Sequence, residues 1–282
     1  MRPLSLSLFF LLAVGPLLLG IGYALAYSLG LVGLISEGMT ADHWVKVVGG
    51  GEFWASLGTS AYVATMSIGI ALLIALMATT SRYLNFQEGT ASYAIYLPLT
   101  LPAMVTGFLI FLFLSNAGII SRVSHSIGLM EDIQMFPNLV NDVYSIGIIA
   151  AHTLMATPFF IILFANLYKS ERIADYAHLA ATLGGNRSQI SRKVVFPMLL
   201  RPAFPTLVLY LIFVMGSYEI PLLLGRQSPQ MVSVLAINKL QRFNLLDKPQ
   251  AYVISLVYTF IVLSTLILLF WRSNTRLKAS RL

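Results

Sequence analysis

Residues 178–197 read HLAATLGGNRSQISRKVVFP. Just upstream and within this stretch, Ile173, Tyr176, Ala177, Ala180 and Leu183 recur at helical spacing. They predict a short amphipathic helix with a small-residue face around Ala180 and Ala181. Gly184-Gly185 ends it, because glycine takes the left-handed conformation that closes a helix at little cost. Asn186, three residues before Gln189, then caps a second helix with Arg187, Arg192 and Lys193 on one side and Ile190 and Val194 on another. That helix is predicted to stop near Pro197, with Pro202 and Pro205 marking the chain's return to apolar sequence. Two readings fit the pattern. The loop rests on a lipid surface, its basic residues attracted to anionic headgroups, or it is a docking element that passes force from a partner to the membrane.

The flanks decide the class. The 282 residues are 57% hydrophobic and only 10% charged, with a mean hydropathy of +0.81, which is the composition of a membrane protein. Six apolar segments, at approximately 8–29, 59–80, 93–115, 144–166, 203–224 and 252–271, each have the roughly 20 residues needed to cross a hydrocarbon core of about 30 Å. The expected fold is all-α, a polytopic chain of six transmembrane helices. The first segment follows Met1-Arg2-Pro3 and runs past the small residues Ala24-Leu25-Ala26 through Leu29, Leu31 and Val32. It reads as a retained helix, not a signal peptide. Cysteine is absent, which excludes disulfides, thiolate metal sites and cysteine nucleophiles.

Orientation follows from the basic residues. One side collects Arg2, Arg82, the cluster Lys169, Arg172, Arg187, Arg192, Lys193 and Arg201, and the terminal Arg272, Arg276, Lys278 and Arg281. The other holds Lys46, Arg122, Arg226, Lys239, Arg242 and Lys248. Both termini are therefore expected in the cytoplasm. Acidic residues lean outward, with Glu37, Asp42, Glu52, Glu131, Asp132, Asp142 and Asp247 against Glu88, Glu171 and Asp175. The net charge of +7 is thus an orientation signal and implies no nucleic-acid partner. The expected organisation is a first helix and outer loop at 1–55, a transmembrane core at 56–272 containing the loop 169–201, and a basic cytoplasmic tail at 273–282. The outer loop 116–143, punctuated by Pro137, Asn138 and Asn141, suggests a helical hairpin or short interfacial helix.

Prolines interrupt the apolar segments: Pro98 and Pro102 the third, Pro158 the fourth, Pro221 the fifth. Each removes a helix hydrogen bond that a bundle must compensate. A packing role explains any one of them, and breaks in three consecutive helices also suit a lined pathway. Glu219, beside Tyr218 and Pro221, is the one carboxylate placed inside a predicted span, where charge is costly unless it faces a cavity or a partner. Glu219 and Tyr218 are the candidate path or gate residues, and a structural ion pair or hydrogen bond to a neighbouring subunit is the competing account. His43, His125, His152 and His178 have no metal-ligand spacing, and no serine sits in a nucleophile elbow. No phosphate-gripping Gly-x-x-x-x-Gly-Lys run is present. The chain is not expected to be an enzyme.

The run Ala180-Ala181, Gly184, nine residues, Val194, one residue, Phe196-Pro197 resembles the cytoplasmic "EAA" signature of permease subunits in type I ATP-binding-cassette importers. That signature reads Glu-Ala-Ala, three residues, Gly, nine residues, Ile, one residue, Leu-Pro. The spacing matches, with His178 at the glutamate position and Leu179 at the first alanine. YLPLTLPAMVTG, AHTLMATPFFIILFANL and GSYEIPLLLG look like the third, fourth and fifth segments of that family, so the resemblance covers roughly residues 56–270. The SYEIPLLLG stretch looks most like the polyamine (spermidine/putrescine) branch.

The resemblance implies a multi-pass protein of a bacterial inner membrane that forms half of a translocation path. A helix at about Ala174 to Leu183 would sit in a groove of a cytoplasmic ATPase subunit, one of two in the complex, with Ala177, His178, Ala180, Ala181, Gly184, Val194 and Pro197 as the coupling residues. It also implies a second permease of different sequence and an extracytoplasmic substrate-binding protein, all in contact with membrane lipid. No cofactor is bound by this chain, and ATP and Mg belong to the partner ATPase. The substrate would be a small solute, with a polyamine or other small cation favoured by Glu219. An ATP-independent secondary transporter or channel is the alternative, and inverted repeats with broken helices in matching halves, its expected mark, are not evident.

Overall fold

The computed structural model describes residues 2–33, 38–80 and 96–279. Helices α1 (Arg2–Ser28), α2 (Asp42–Gly49), α3 (Gly51–Thr80), α4 (Ala103–Leu114) and α5 (Ile119–Ser126) form the first part. They are followed by α6 (Ile146–Ser170), α7 (Ile173–Thr182), α8 (Arg187–Ile190), α9 (Phe196–Met215), α10 (Glu219–Leu224), α11 (Val232–Gln241) and α12 (Asp247–Ala279). Six segments are long and apolar enough to cross a membrane: Ser7–Ser28, Gly51–Thr80, Ala103–Ser126, Ile146–Ser170, Arg187–Met215 and Asp247–Phe270. The all-helical, six-span fold is as expected. Arg82, Glu37, Glu88 and Arg281, used above for orientation, and residues 93–95 lie outside the described residues.

Three expectations about boundaries are corrected. Within the third apolar segment residues 96–100 are helical and the chain breaks at 101–102, as expected of Pro102, which is extended at φ −58° and ψ 149° and caps α4, so that the candidate span runs from Ala103 to Ser126. The fifth span does not run over 203–224. Its helix ends at Met215, and α10 is a separate short helix after the break at Gly216–Tyr218. Glu219 and Pro221 therefore lie beyond the span. Pro221 occupies the first turn of α10, where its missing N–H goes unneeded. The loop's second helix does not stop at Pro197. Residues Ser191–Val195 form a π-helical turn that carries α8 directly into α9. Phe196 N–H bonds back five residues to Ser191 O, a widening that gives the Pro197 ring room against the preceding turn. Pro158, Pro202 and Pro205 all sit inside unbroken helices.

Two compact units are present, Met1–Gly58 with Val232–Leu282, and Thr59–Met231. In the first, Val47 and Phe53 pack with Val232, Leu235, Val253 and Ile254. Trp44 Nε1 donates to Ser28 Oγ at 3.1 Å. Lys239 of α11 is 7% exposed, and its ammonium lies 2.9 Å from Glu52 Oε2 and 3.1 Å from Gln250 Oε1. The Glu52 side chain is 53% exposed, so the two halves of this pair are not equivalent. Removing Glu52 leaves a buried ammonium without its counter-charge, with Gln250 Oε1 still accepting from it, whereas removing Lys239 leaves a carboxylate that water can solvate. E52A is expected to lower the thermal midpoint of the detergent-solubilised protein by more than K239M does. A larger loss in K239M would contradict the asymmetry.

In the second unit, Ala64, Ala71 and Ala75 of α3 lie fully buried against Phe160 and Phe164 of α6, with Ile173, Val195, Leu199 and Val214 completing the cluster. Small residues on one helix let the other's aromatic rings approach the backbone, the packing that membrane helices rely on when lipid is as apolar as the core. A second cluster joins Val63, Ile148, Ala151, Ile220 and Leu224. It buries the inner face of α10 among α3 and α6. Asp142 caps the start of α6, its Oδ1 accepting from Ile146 N–H at 2.8 Å.

Candidate coupling loop and membrane break

Two residues separate α6 from α7. Arg172 takes the left-handed region at φ 48°, which turns the chain sharply between the two helices. Ile173 follows and is wholly buried against Phe164, Val195 and Leu199. The root of the loop is therefore anchored in the core. At the other end of α7, Gly185 N–H reaches Ala180 O and Gly184 N–H reaches Ala181 O, both at 3.0 Å. This is the paired Schellman closure. Gly184 has φ +84° with open space around it, whereas a Cβ on Gly185 would stand 2.8 Å from Ala180 O. One glycine supplies a conformation and the other supplies room. Asn186 Oδ1 then accepts from Gln189 N–H at 2.8 Å, and Gln189 Oε1 accepts from Asn186 N–H at 3.2 Å, the expected capping box.

The predicted coupling residues fall on different faces. Ala177 is half-buried and packs toward the cluster around Ile173. Ala180 is half-buried, Ala181 exposed, and Val194 and Pro197 half-buried. His178 is exposed and has no hydrogen-bond or ion-pair partner among the described residues. Sequence reasoning missed which apolar residues face outward. Tyr176, Leu179 and Leu183 are 52%, 59% and 81% exposed, and their spacing of three and four makes one stripe of two residues of α7 and the residue that caps its end. The spacing was legible, but the side on which the core lies was not.

At the break after α9, Gly216 N–H bonds Ile212 O and Ser217 N–H bonds Val214 O. His152, buried in α6, meets Ser217 Oγ at 3.0 Å. That bond ties the break after α9 to the second turn of α6, satisfying polar groups that lipid could not. Beyond it Tyr218 is half-buried and Glu219 exposed, on the face of α10 opposite Ile220 and Leu224. The 20 residues of α9 put about 30 Å between this break and the loop. Loop and gate candidates are thus separate sites at the two ends of one helix. A cleft of about 670 Å³ is lined by Ile70, Ile149 and Thr153 together with Pro98 and Pro158, so two of the prolines singled out in the sequence share one wall. The described residues bring no three His, Asp or Glu side chains together where a metal ion could sit.

Residues 67–274 match the family described as binding-protein-dependent transport system inner membrane component. The chain belongs to that family. It is accordingly a multi-pass inner-membrane permease component, the non-catalytic transmembrane part of its system. The probable ABC transporter permease protein y4fN of Sinorhizobium fredii is 34% identical over 114 residues, which is 38% of this chain and 20% of that protein. The match thus spans about a fifth of the relative's length. The permease has the fold of a chain in a bacterial ABC transporter involved in the import of the acidic polysaccharide alginate. The TM-score is 0.70 at 17% identity, covering 97% of this chain and 94% of that one. A second structure, the bacterial alginate ABC transporter in complex with alginate pentasaccharide-bound periplasmic protein, gives 0.69 at 17% identity, covering 95% and 90%. These likenesses concern the fold. The polyamine resemblance noted in the sequence finds no counterpart among them.

Proposed function

We propose that this permease forms half of the translocation path of an ATP-driven importer, with α7 as the element on which a cytoplasmic ATPase subunit seats. The observation that carries the reading is the stripe Tyr176, Leu179 and Leu183, exposed beside the face that Ile173 and Ala177 turn to the core. An apolar stripe at the surface of a polar loop calls for a partner. Since α8 runs through the π-turn into α9, displacement of the loop reaches the break at Gly216–Tyr218 along a continuous helical rod. Two ATPases closing on ATP, a second permease of different sequence and an extracytoplasmic binding protein complete the assembly. Both termini lie in the cytoplasm. Alternating access then follows from contacts that differ between two global states. Co-purification with co-expressed neighbouring subunits tests this. A cassette ATPase should be recovered with the wild type and lost with L179E, and a chain that transports alone and ignores ATP would replace the reading with secondary transport.

The solute is proposed to be a small cation of polyamine type. Glu219 supports this, since its exposed carboxylate stands beside Tyr218 at the break. In E219Q, uptake of labelled spermidine or putrescine is expected to fall about fivefold or more, within the usual range of a site's coupling free energy, with assembly unchanged. Loss of the assembled complex would instead make Glu219 a contact to the neighbouring subunit. Unchanged uptake would remove it from the path.

A further inference from the structure

Arg187 is the first residue of the helical rod that runs to Met215. A cation there faces the positive end of its own helix dipole, an unfavourable local choice. Its side chain explains the choice. Nη2 donates to Thr80 O at 3.1 Å, in the last described turn of α3, where a helix dipole is negative. Thr80 Oγ1 donates back to Leu76 O at 3.0 Å within the same turn.

The packing around this bond gives it a mechanical sense. Between the loop and the end of α3 lies a hollow of about 520 Å³, lined by Thr79, Thr80, Tyr168, Ala177, Arg187 and Ile190 among others. Loop and helix end are separated by open space at this level, while deeper in the unit Ile173 and Val195 share a buried cluster with Ala75 and Leu76. The guanidinium spans the gap. Arg187 itself is exposed, so its bond is reachable as the loop moves.

We propose that Arg187 is a positioning residue of the coupling loop, tying it to the last described turn of α3 so that movement of the loop is passed to the second span as well as along α9. This rests on the ATPase-driven reading above. The bond needs one donor on a long arm, so lysine should serve and methionine, with the stem but no donor, should not.

The test uses the whole complex, permeases, ATPases and binding protein, reconstituted in liposomes, and reads solute taken up per ATP hydrolysed. For R187A and R187M this ratio is expected to fall about fivefold or more, the scale of a lost coupling, while hydrolysis stimulated by loaded binding protein changes by less than about twofold. R187K should recover more than half. Wild-type ratios in R187A or R187M would overturn the proposal, and so would recovery by R187M equal to that by R187K. Failure of both R187A and R187M to assemble would make the residue structural and overturn it too. A wild-type complex with no ATP-dependent uptake would sink the importer reading itself, whatever the variants do.

Discussion

Gly184→Val is expected to abolish most ATP-driven uptake, by about tenfold or more, while membrane insertion and the level of the chain stay near wild type. The reason is conformational. At φ +84° nothing lies within 4 Å of where a Cβ would stand, so a side chain meets no neighbour. It meets its own backbone, at roughly 1–2 kcal/mol for an ordinary L-residue and more for a β-branched one. The α7 end relieves that strain by giving up the bonds from Gly184 N–H to Ala181 O and from Gly185 N–H to Ala180 O. The exposed stripe then loses its fixed angle to α9. Graded substitution separates this from a general insult. G184N, able to take the left-handed region, should retain most activity, G184A less and G184V least. Equal activity across the three would mean that the turn's geometry does not matter. G185A should also impair uptake, for the different reason that its Cβ would crowd Ala180 O.

His152→Leu is expected to be the most damaging change in the bundle interior that leaves volume nearly constant. His152 is 3% exposed and its Nε2 meets Ser217 Oγ at 3.0 Å. Leucine fills the space but removes the hydrogen bond to half-buried Ser217, a loss of about 1 kcal/mol. S217A strands the imidazole instead and should cost a comparable amount. Combining H152L with S217A removes both partners, so the double variant should be more stable than the sum of the single losses predicts. Thermal unfolding of the solubilised permease measures all three. Strict additivity would show that the two side chains do not act together. Because the bond pins the break that presents Glu219, H152L should also depress uptake even under conditions where the complex remains assembled.

Much of this chain was legible without coordinates. Six apolar runs of spanning length specify six membrane helices, since no other backbone arrangement satisfies its own polar groups in lipid as simply. The amphipathic α7, the Gly184 stop and the Asn186–Gln189 cap were readable because each depends on neighbours a few residues away. Boundaries set by distant packing were not. Nothing local announces that the helix after Asn186 continues through Pro197, because the π-turn that accommodates the proline ring is a choice of register made with the whole of α9. Proline patterns predicted a break within the fifth span at Pro221, whereas the break lies earlier, at Gly216–Tyr218, where His152 can reach Ser217 across a sequence separation of 65.

The sequence by itself determined the membrane class, the number of spans and the position of the loop, because hydropathy and helix-end chemistry act over one or a few turns. Tertiary structure decided which side of α7 is free. Ile173, Ala177, Tyr176 and Leu179 are all apolar or small at helical spacing, and only the placement of Phe164, Val195 and Leu199 tells which of them enters the core. It likewise decided that Arg187 faces the last described turn of α3, more than 100 residues earlier in the chain. A charge can be read from one letter. The opposite dipole that it answers is set by where a distant helix happens to lie.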